Sequence, residues 1–264
     1  MTDPRLIFLS EIQHRTVTAS VEAAGTGILA QTETAVRTAE SLSLTVEFVS
    51  PEATPVTAGA TVMRVSGAPL AIAQFEEQVI GILAKPSGIA TAARAFVEHA
   101  EGRIRIVSGA WKKLPLSQKE MIRSAIVAGG ASPRIAEWPF VYLDKNLVCM
   151  LGGVGAALAA TDRPELAAHR KIVQITEPLQ ACEAAEGGAG IVFVDTGHAC
   201  DAVSAAEMLR HCGLRRHVDV AFGGGIRLEH IDTLRTLDID IVDVGRAIVD
   251  ADLLDMRLRV EEIR

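Results

Sequence analysis

The stretch that decides the fold begins Val218-Asp219-Val220-Ala221-Phe222-Gly223-Gly224-Gly225-Ile226. After a helix-like segment it ends Ile239-Asp240-Ile241-Val242-Asp243-Val244-Gly245-Arg246-Ala247-Ile248. Two strand-like apolar runs each close on glycine, and arginine follows the second. Glycine at a strand end lets backbone N–H groups close on an anion with no Cβ in the way. In parallel α/β barrels the last two strand ends and a following short helix commonly form such a phosphate cup. The reading is a phosphorylated small molecule held by Gly223, Gly224, Gly225, Gly245 and Arg246. The plainer alternative is that the glycines only close tight turns. An arginine at a helix start opposes the helix dipole unless an anion is near, which favours the phosphate role for Arg246. Arg227 offers a weaker version of the same argument.

Upstream of this stretch the same rhythm repeats. Strand-like runs fall at Ile104–Val107, Phe140–Leu143, Ile172–Ile175 and Ile191–Val194. Helix-like runs lie between them, at Ser117–Ala128, Val154–Ala159, Pro178–Ala185 and Ala202–Cys212, with Leu228–Leu237 between the last two strands. Near-continuous apolar strands alternating with helices imply a parallel sheet covered on both faces. About six such units are present, too few for a closed eight-fold barrel. No GxGxxG follows the first strand, as a dinucleotide-binding doubly wound sheet would have it. The fold class expected is α/β, with an open or incomplete parallel α/β barrel over residues 101–253.

Residues 1–100 read differently, as a smaller α/β domain. Leu6–Leu9 is a short apolar run, and Ser20–Ala39 has the makings of a helix interrupted by Gly25 and Gly27. Leu42, Leu44, Val46 and Phe48 alternate as a strand, and Thr61–Val65 is a second one. Helical spacing runs from Pro69 to Leu83, is broken at Pro86-Ser87-Gly88, and resumes over Ile89–Ala100. The tail, residues 254–264, alternates weakly and is a candidate to return to this first domain.

Composition narrows the function. Hydrophobic residues make up 49% of 264, enough for a sizeable core, and no window approaches 18 uninterrupted apolar residues. A formal net charge of −7 argues against nucleic acid as the partner, and 4% aromatics against base-stacking platforms. Any phosphate site must therefore be built locally. Cys149, Cys182, Cys200 and Cys212 form no CxxC pair, so they read as small buried hydrophobes in a reducing, cytoplasmic setting. Met1–Glu11 lacks the basic and apolar regions of a signal peptide.

Several side chains sit where catalytic groups of such barrels collect, at the strand ends. Lys112 and Lys113 follow the first barrel strand, and Asp144 with Lys145 follows the second. Glu177 and Gln174 close the third. Asp195 ends the fourth, with His198 three residues on. A Lys–Asp pair can relay protons or hold phosphate. A carboxylate at Asp195 can hold a metal or ribose hydroxyls, and His198 can act as an acid or base. For each the bland reading is a solvated or capping charge.

The order of motifs is similar to that of the quinolinate phosphoribosyltransferase family (nicotinate-nucleotide pyrophosphorylase, carboxylating), and of its relatives associated with molybdenum-transport operons. Ser87-Gly88-Ile89-Ala90-Thr91 matches the family's SGIAT run letter for letter. Leu114-Pro115, Ala128-Gly129-Gly130-Ala131-Ser132-Pro133-Arg134 and the two glycine ends follow in the family's order. The resemblance covers about residues 55–250. It implies an N-terminal α/β sandwich and an open α/β barrel. It also implies a homodimer or an assembly of dimers, in which a neighbour completes each site. The reaction implied joins a pyridine dicarboxylate to phosphoribosyl pyrophosphate with Mg2+, releasing CO2 and pyrophosphate.

The departures bear on the substrate. The family's Asp-Thr-Arg-Lys-Thr strand end stands as Gly109-Ala110-Trp111-Lys112-Lys113, so Trp111 replaces an arginine and Lys112 keeps its cation. The Asn-His-Arg turn keeps only Arg134. The Lys-Asp-Asn-His run becomes Asp144-Lys145-Asn146-Leu147. Two family carboxylates become Gln174 and Ala221, while Asp195 is kept, and an arginine sent into the neighbour's site falls near Glu77. These losses remove guanidinium forks that would grip two carboxylates and carboxylates that would hold Mg2+. The expectation is a phosphoribosyltransferase-like enzyme that does not use quinolinate in the usual way. Lys112, Lys145 and Asp195 are its catalytic candidates, with Asp195 also the candidate for a metal. Arg134, Lys113, the glycines and Arg246 are its substrate-binding candidates. Two alternatives stay open: a sugar-phosphate isomerase, lyase or decarboxylase on the same barrel, or a degenerate metabolite-binding homologue.

Overall fold

Val17, Ala19, Val21 and Ala23 alternate, and in the computed structural model, which describes residues 3–264, they form a strand rather than a helix. All four are buried. The helix proposed from Ser20 onward starts only at Thr32 and runs to Ser41. Small residues at every second position hid the period of two. Apart from a two-residue pair, Gly27–Ile28 with Pro55–Val56, the strands are β1 Val17–Ala23, β2 Thr45–Val49, β3 Thr61–Gly67, β4 Arg105–Val107, β5 Phe140–Leu143, β6 Arg170–Ile175, β7 Ile191–Val194, β8 Asp219–Gly223, β9 Ile241–Asp243 and β10 Met256–Ile263.

The chain divides into two units by contacts. The first takes residues 1–94, 115–130 and 250–264, and the second takes 95–114 and 131–249. In the first, a four-stranded antiparallel sheet has the order β10-β1-β3-β2. Phe75, Val79 and Leu83 of the following helix pack with Leu29, Met63 and Val65 in its core.

That helix is the main departure from expectation. It runs unbroken over 32 residues, Pro69–Ala100, with Pro86 inside it. Proline removes one helical donor and normally breaks or kinks a helix. Here neighbouring segments hold the turn on both sides. Lys85 Nζ donates to Ala251 O (2.6 Å), and Ser87 Oγ accepts from Ala30 N–H (3.0 Å). Thr91 Oγ1 accepts from Ile28 N–H (2.9 Å). At Gly88 a Cβ would lie 1.9 Å from the Asp252 carbonyl oxygen, so only glycine admits that backbone. The Ser87–Thr91 run is thus a docking surface for two other segments of the first unit.

In the second unit six strands, all parallel, have the order β4-β9-β8-β7-β6-β5. The first strand pairs with the last, and the sheet is left open between β4 and β5. This is an open α/β barrel. Val107, Ile172, Ile191, Phe193, Ala221 and Ile241 fill its interior. One helix was missed in sequence: Lys145–Leu151, begun by Asp144, whose carboxylate accepts from the N–H groups of Asn146 and Leu147. The cysteines were misplaced. Cys149 and Cys200 are exposed, Cys182 and Cys212 are half-buried, and all four are free thiols. Among the described residues no helix is long and apolar enough to cross a membrane.

Candidate active site

Parallel strands deliver all their C-terminal ends to one rim, and the candidate residues of the second unit gather there. Register places Val107, Asp243 and Gly223 side by side on β4, β9 and β8. The two glycine ends are therefore neighbours in space. Gly223 is buried, and a Cβ there would press on the Phe193 ring at 3.0 Å. Gly224 has φ +107, and a Cβ would come within 2.7 Å of Gly197 N. Gly197 N–H in turn donates to Gly223 O (3.1 Å). Beside this turn lies a hollow of about 270 Å³, lined in part by Gly224, Gly225, Gly197 and Thr233. Arg227 is paired with Glu229 (2.7 Å), which itself lines this hollow. Arg246 is exposed and opens a four-residue helix just past Gly245.

A second hollow, about 250 Å³, sits across the rim under the turn that follows β4. Aromatic rings wall it: Trp111, Phe140, Tyr142 and Phe193. The Trp111 indole N–H is spent on Pro133 O (2.6 Å), which fixes the ring as a wall. Lys112 Nζ stands 5.9 Å from the centre of the Tyr142 ring, a cation–π distance. Arg134 is the other cation of the lining, and Asp243 its one carboxylate. Asp243 Oδ1 accepts from Gly109 N–H (2.9 Å). Burial pushes the Asp243 carboxyl above the ordinary aspartate range, the Gly109 N–H opposes that, and the Asp195 charge adds to it. Burial likewise raises the Tyr142 phenol, with Asp243, Asp195 and Asp144 contributing, so the phenol keeps its proton.

Residues 3–87 match the family model for the quinolinate phosphoribosyl transferase N-terminal domain, and residues 89–259 match the model for its C-terminal domain. The chain belongs to the quinolinate phosphoribosyl transferase family. A probable nicotinate-nucleotide pyrophosphorylase (carboxylating) of Methanothermobacter thermautotrophicus is 25% identical over 94% of this chain and 90% of its own. The human nicotinate-nucleotide pyrophosphorylase (carboxylating) is 28% identical over 83% of this chain and 74% of its own. The fold is that of the crystal structure of nicotinate-nucleotide pyrophosphorylase from Pyrococcus furiosus. That likeness has a TM-score of 0.81 at 21% identity, covering 100% of this chain and 75% of that one.

Against that family frame the sequence candidates separate. Lys112 and Arg134 line the aromatic pocket together. Lys113 is exposed in the same 3-10 turn, Ala110–Lys113. Lys145 is exposed, and its backbone N–H is held by Gln174 Oε1 (3.1 Å). Asp144, read as a possible relay partner for it, is occupied as a helix cap. Asp195 is exposed at the end of β7, with Oδ2 3.4 Å from the Gln174 amide. His198 precedes the helix Ala199–His211 without capping it through its side chain. Glu77 is paired with Arg5 (3.0 Å) in the first unit.

Sequence reasoning gave no role to Asp243, or to Tyr142 within the Phe140–Leu143 strand. A signal was available for the aromatics. The chain has two tryptophans, one tyrosine and seven phenylalanines, and one tryptophan, the tyrosine and two phenylalanines converge on one pocket. Among the described residues no group of three or more His, Cys, Asp or Glu is arranged to hold a metal ion.

Proposed function

We propose that this chain is a phosphoribosyltransferase that joins a flat nitrogen ring, held in the aromatic pocket, to the phosphoribosyl group of phosphoribosyl pyrophosphate. The observation carrying this reading is the pairing of Gly223 with Asp243. It sets the glycine turn, suited to a 5'-phosphate, one strand away from a ring-sized, aromatic-walled hollow. In the reaction the ring nitrogen lone pair forms the bond to C1' as the C1'–O bond to pyrophosphate breaks. The leaving pyrophosphate takes that electron pair, and positive charge passes through C1' to the ring. Trp111, Phe140 and Tyr142 exclude water and fix the ring plane. Lys112 and Arg134 attract an acid group on the ring. Asp195 is the carboxylate nearest the glycine turn, its Oδ1 3.3 Å from where a Gly223 Cβ would stand, and it opposes charge developing at C1'. Asp195 would also be the protein contact for Mg2+ carried in on the diphosphate, which neutralises charge on the leaving group.

The ring is not gripped here as a dicarboxylate. Trp111 occupies the place of an arginine, and only Lys112 and Arg134 bring positive charge to the lining. A lyase or Schiff-base route through lysine is disfavoured by exposure, because Lys112, Lys113 and Lys145 all face solvent whereas an imine-forming amine is typically desolvated. A homodimer or assembly of dimers, as the family resemblance implies, belongs to the same proposal.

The test is pyrophosphate release from phosphoribosyl pyrophosphate across a panel of ring acids. Arg246→Ala is expected to weaken the donor about ten- to a hundredfold, as loss of a charged hydrogen bond does, while Lys112→Ala weakens the ring acid and spares the donor. No donor binding and no pyrophosphate release with any acceptor would sink the proposal.

A further inference from the structure

One group in the aromatic pocket has no use in holding an acid. Asp243 lies at the C-terminal end of β9 and lines the hollow together with Lys112 and Arg134. Its Oδ1 is spent on Gly109 N–H (2.9 Å), which fixes the carboxyl plane. Its Oδ2 receives no hydrogen bond from the described residues. Every other lining group is a ring, an apolar side chain, a cation or a backbone, so Oδ2 is the pocket's side-chain carboxylate acceptor.

We infer that Asp243 selects the acceptor: the ring this pocket takes presents an N–H or amino donor to Oδ2 and carries no more than one acid group, which meets Lys112 and Arg134. The inference rests on the phosphoribosyl-transfer reading and names its acceptor class. A second ring carboxylate would have to face Asp243, Trp111 or the other rings. The first repels it, the Trp111 N–H is already used, and the Tyr142 phenol, which keeps its proton, is a single neutral donor for the two oxygens of an ionised carboxylate. An amino group at the same ring position gains a hydrogen bond to a carboxylate in an apolar, partly enclosed site, where such bonds are strongest. Burial that pushes the Asp243 carboxyl above its ordinary range is relieved by such a donor. The geometry also suits the chemistry, because the ring becomes cationic when its nitrogen bonds to C1', and Asp243 is the lining's one carboxylate. A site with a committed buried acceptor rejects analogues lacking the donor more sharply than a greasy slot rejects a change of size.

The experiment titrates the full chain by calorimetry with three probes. Pyridine-2,3-dicarboxylate has two acids. In 2-aminopyridine-3-carboxylate an amino donor replaces one acid, and pyridine-3-carboxylate has neither the donor nor the second acid. Titrations are run without and with phosphoribosyl pyrophosphate. The amino compound is expected to bind at least about tenfold tighter than either other probe. Asp243→Asn keeps an oxygen for Gly109 N–H and is expected to abolish that preference while circular dichroism stays unchanged. Equal or tighter binding of the dicarboxylate overturns the inference. So does failure of the amino compound to bind, or a preference that survives in Asp243→Asn. Failure of the phosphoribosyl reading shows separately, as absent donor binding and pyrophosphate release with the preference intact in the donor-free titrations.

Discussion

Asp243 illustrates what a single residue's sequence neighbourhood conceals. In sequence it is one polar letter at the end of an apolar strand, and nothing in Val242-Asp243-Val244 says that its carboxyl turns into a pocket. The fold gives it a cost that can be measured. Its carboxyl ionises near the ordinary 3.8 when unfolded and higher when folded, chiefly because burial disfavours the anion. The folded state therefore binds the extra proton between those limits, and stability falls as pH rises through that window. Asp243→Asn removes the titration. The variant is expected to be the more stable at pH about 7, with the gap in Tm narrowing as pH is lowered toward about 4. Melting both proteins across that range is the check, and a gap independent of pH would refute the assignment. Asp144 teaches the complementary lesson. The sequence offered a Lys–Asp relay, yet aspartate before a short helix is a preferred cap, and both of its hydrogen bonds here are capping bonds.

At the scale of elements, the parallel strands were legible and the long helix was not. Fully buried strands leave continuous apolar runs, and Ile191–Val194 is buried at every position, so length and flanking glycines sufficed. Pro86 is a strong local stop signal, and local signals cannot register a bond from Ala30 or Ile28 many residues away. Tertiary contacts override the proline because they hold the turn on which it sits. Gly88 is the most exacting point of that contact. Gly88→Ala would put a methyl into the Asp252 carbonyl, and backbone cannot rotate aside as a side chain can. The expected loss is about 1–3 kcal/mol or more, the range for overpacking a closed core. Gly81→Ala, in the same helix with nothing within 4 Å of its notional Cβ, is expected to be stabilising by up to about 1 kcal/mol. Chemical denaturation of the pair settles the matter, and equal effects would show that the close approach at Asp252 is not maintained in solution.

For the whole molecule, the sequence fitted the barrel more closely than the first unit, because barrel elements pair with neighbours in order while the first unit is stitched from three separated stretches. Its edge strand β10 comes from the end of the chain and pairs with β1 from Val17↔Ile263 to Ala23↔Met256. Weak alternation in that tail suggested a return, but only the fold shows what depends on it. Without β10 the buried strand β1 becomes an unpaired edge, and Met256, 3% exposed, leaves the core. Cross-strand pairs contribute about 0.2–1 kcal/mol each, and a buried methionine about 1.5–3 kcal/mol. Across the length of β10 the loss rivals the 5–15 kcal/mol by which ordinary domains are stable. Truncation after Asp255 is therefore expected to abolish cooperative melting of the first unit and to expose residues 5–94 to proteolysis. Arg259→Ala, which removes the surface pairs with Glu22 (2.9 Å) and Glu261 (3.9 Å), should cost less than about 1 kcal/mol. If the truncated chain melts like the parent, the N-terminal sheet does not need its last strand, and the return of the tail has no structural role.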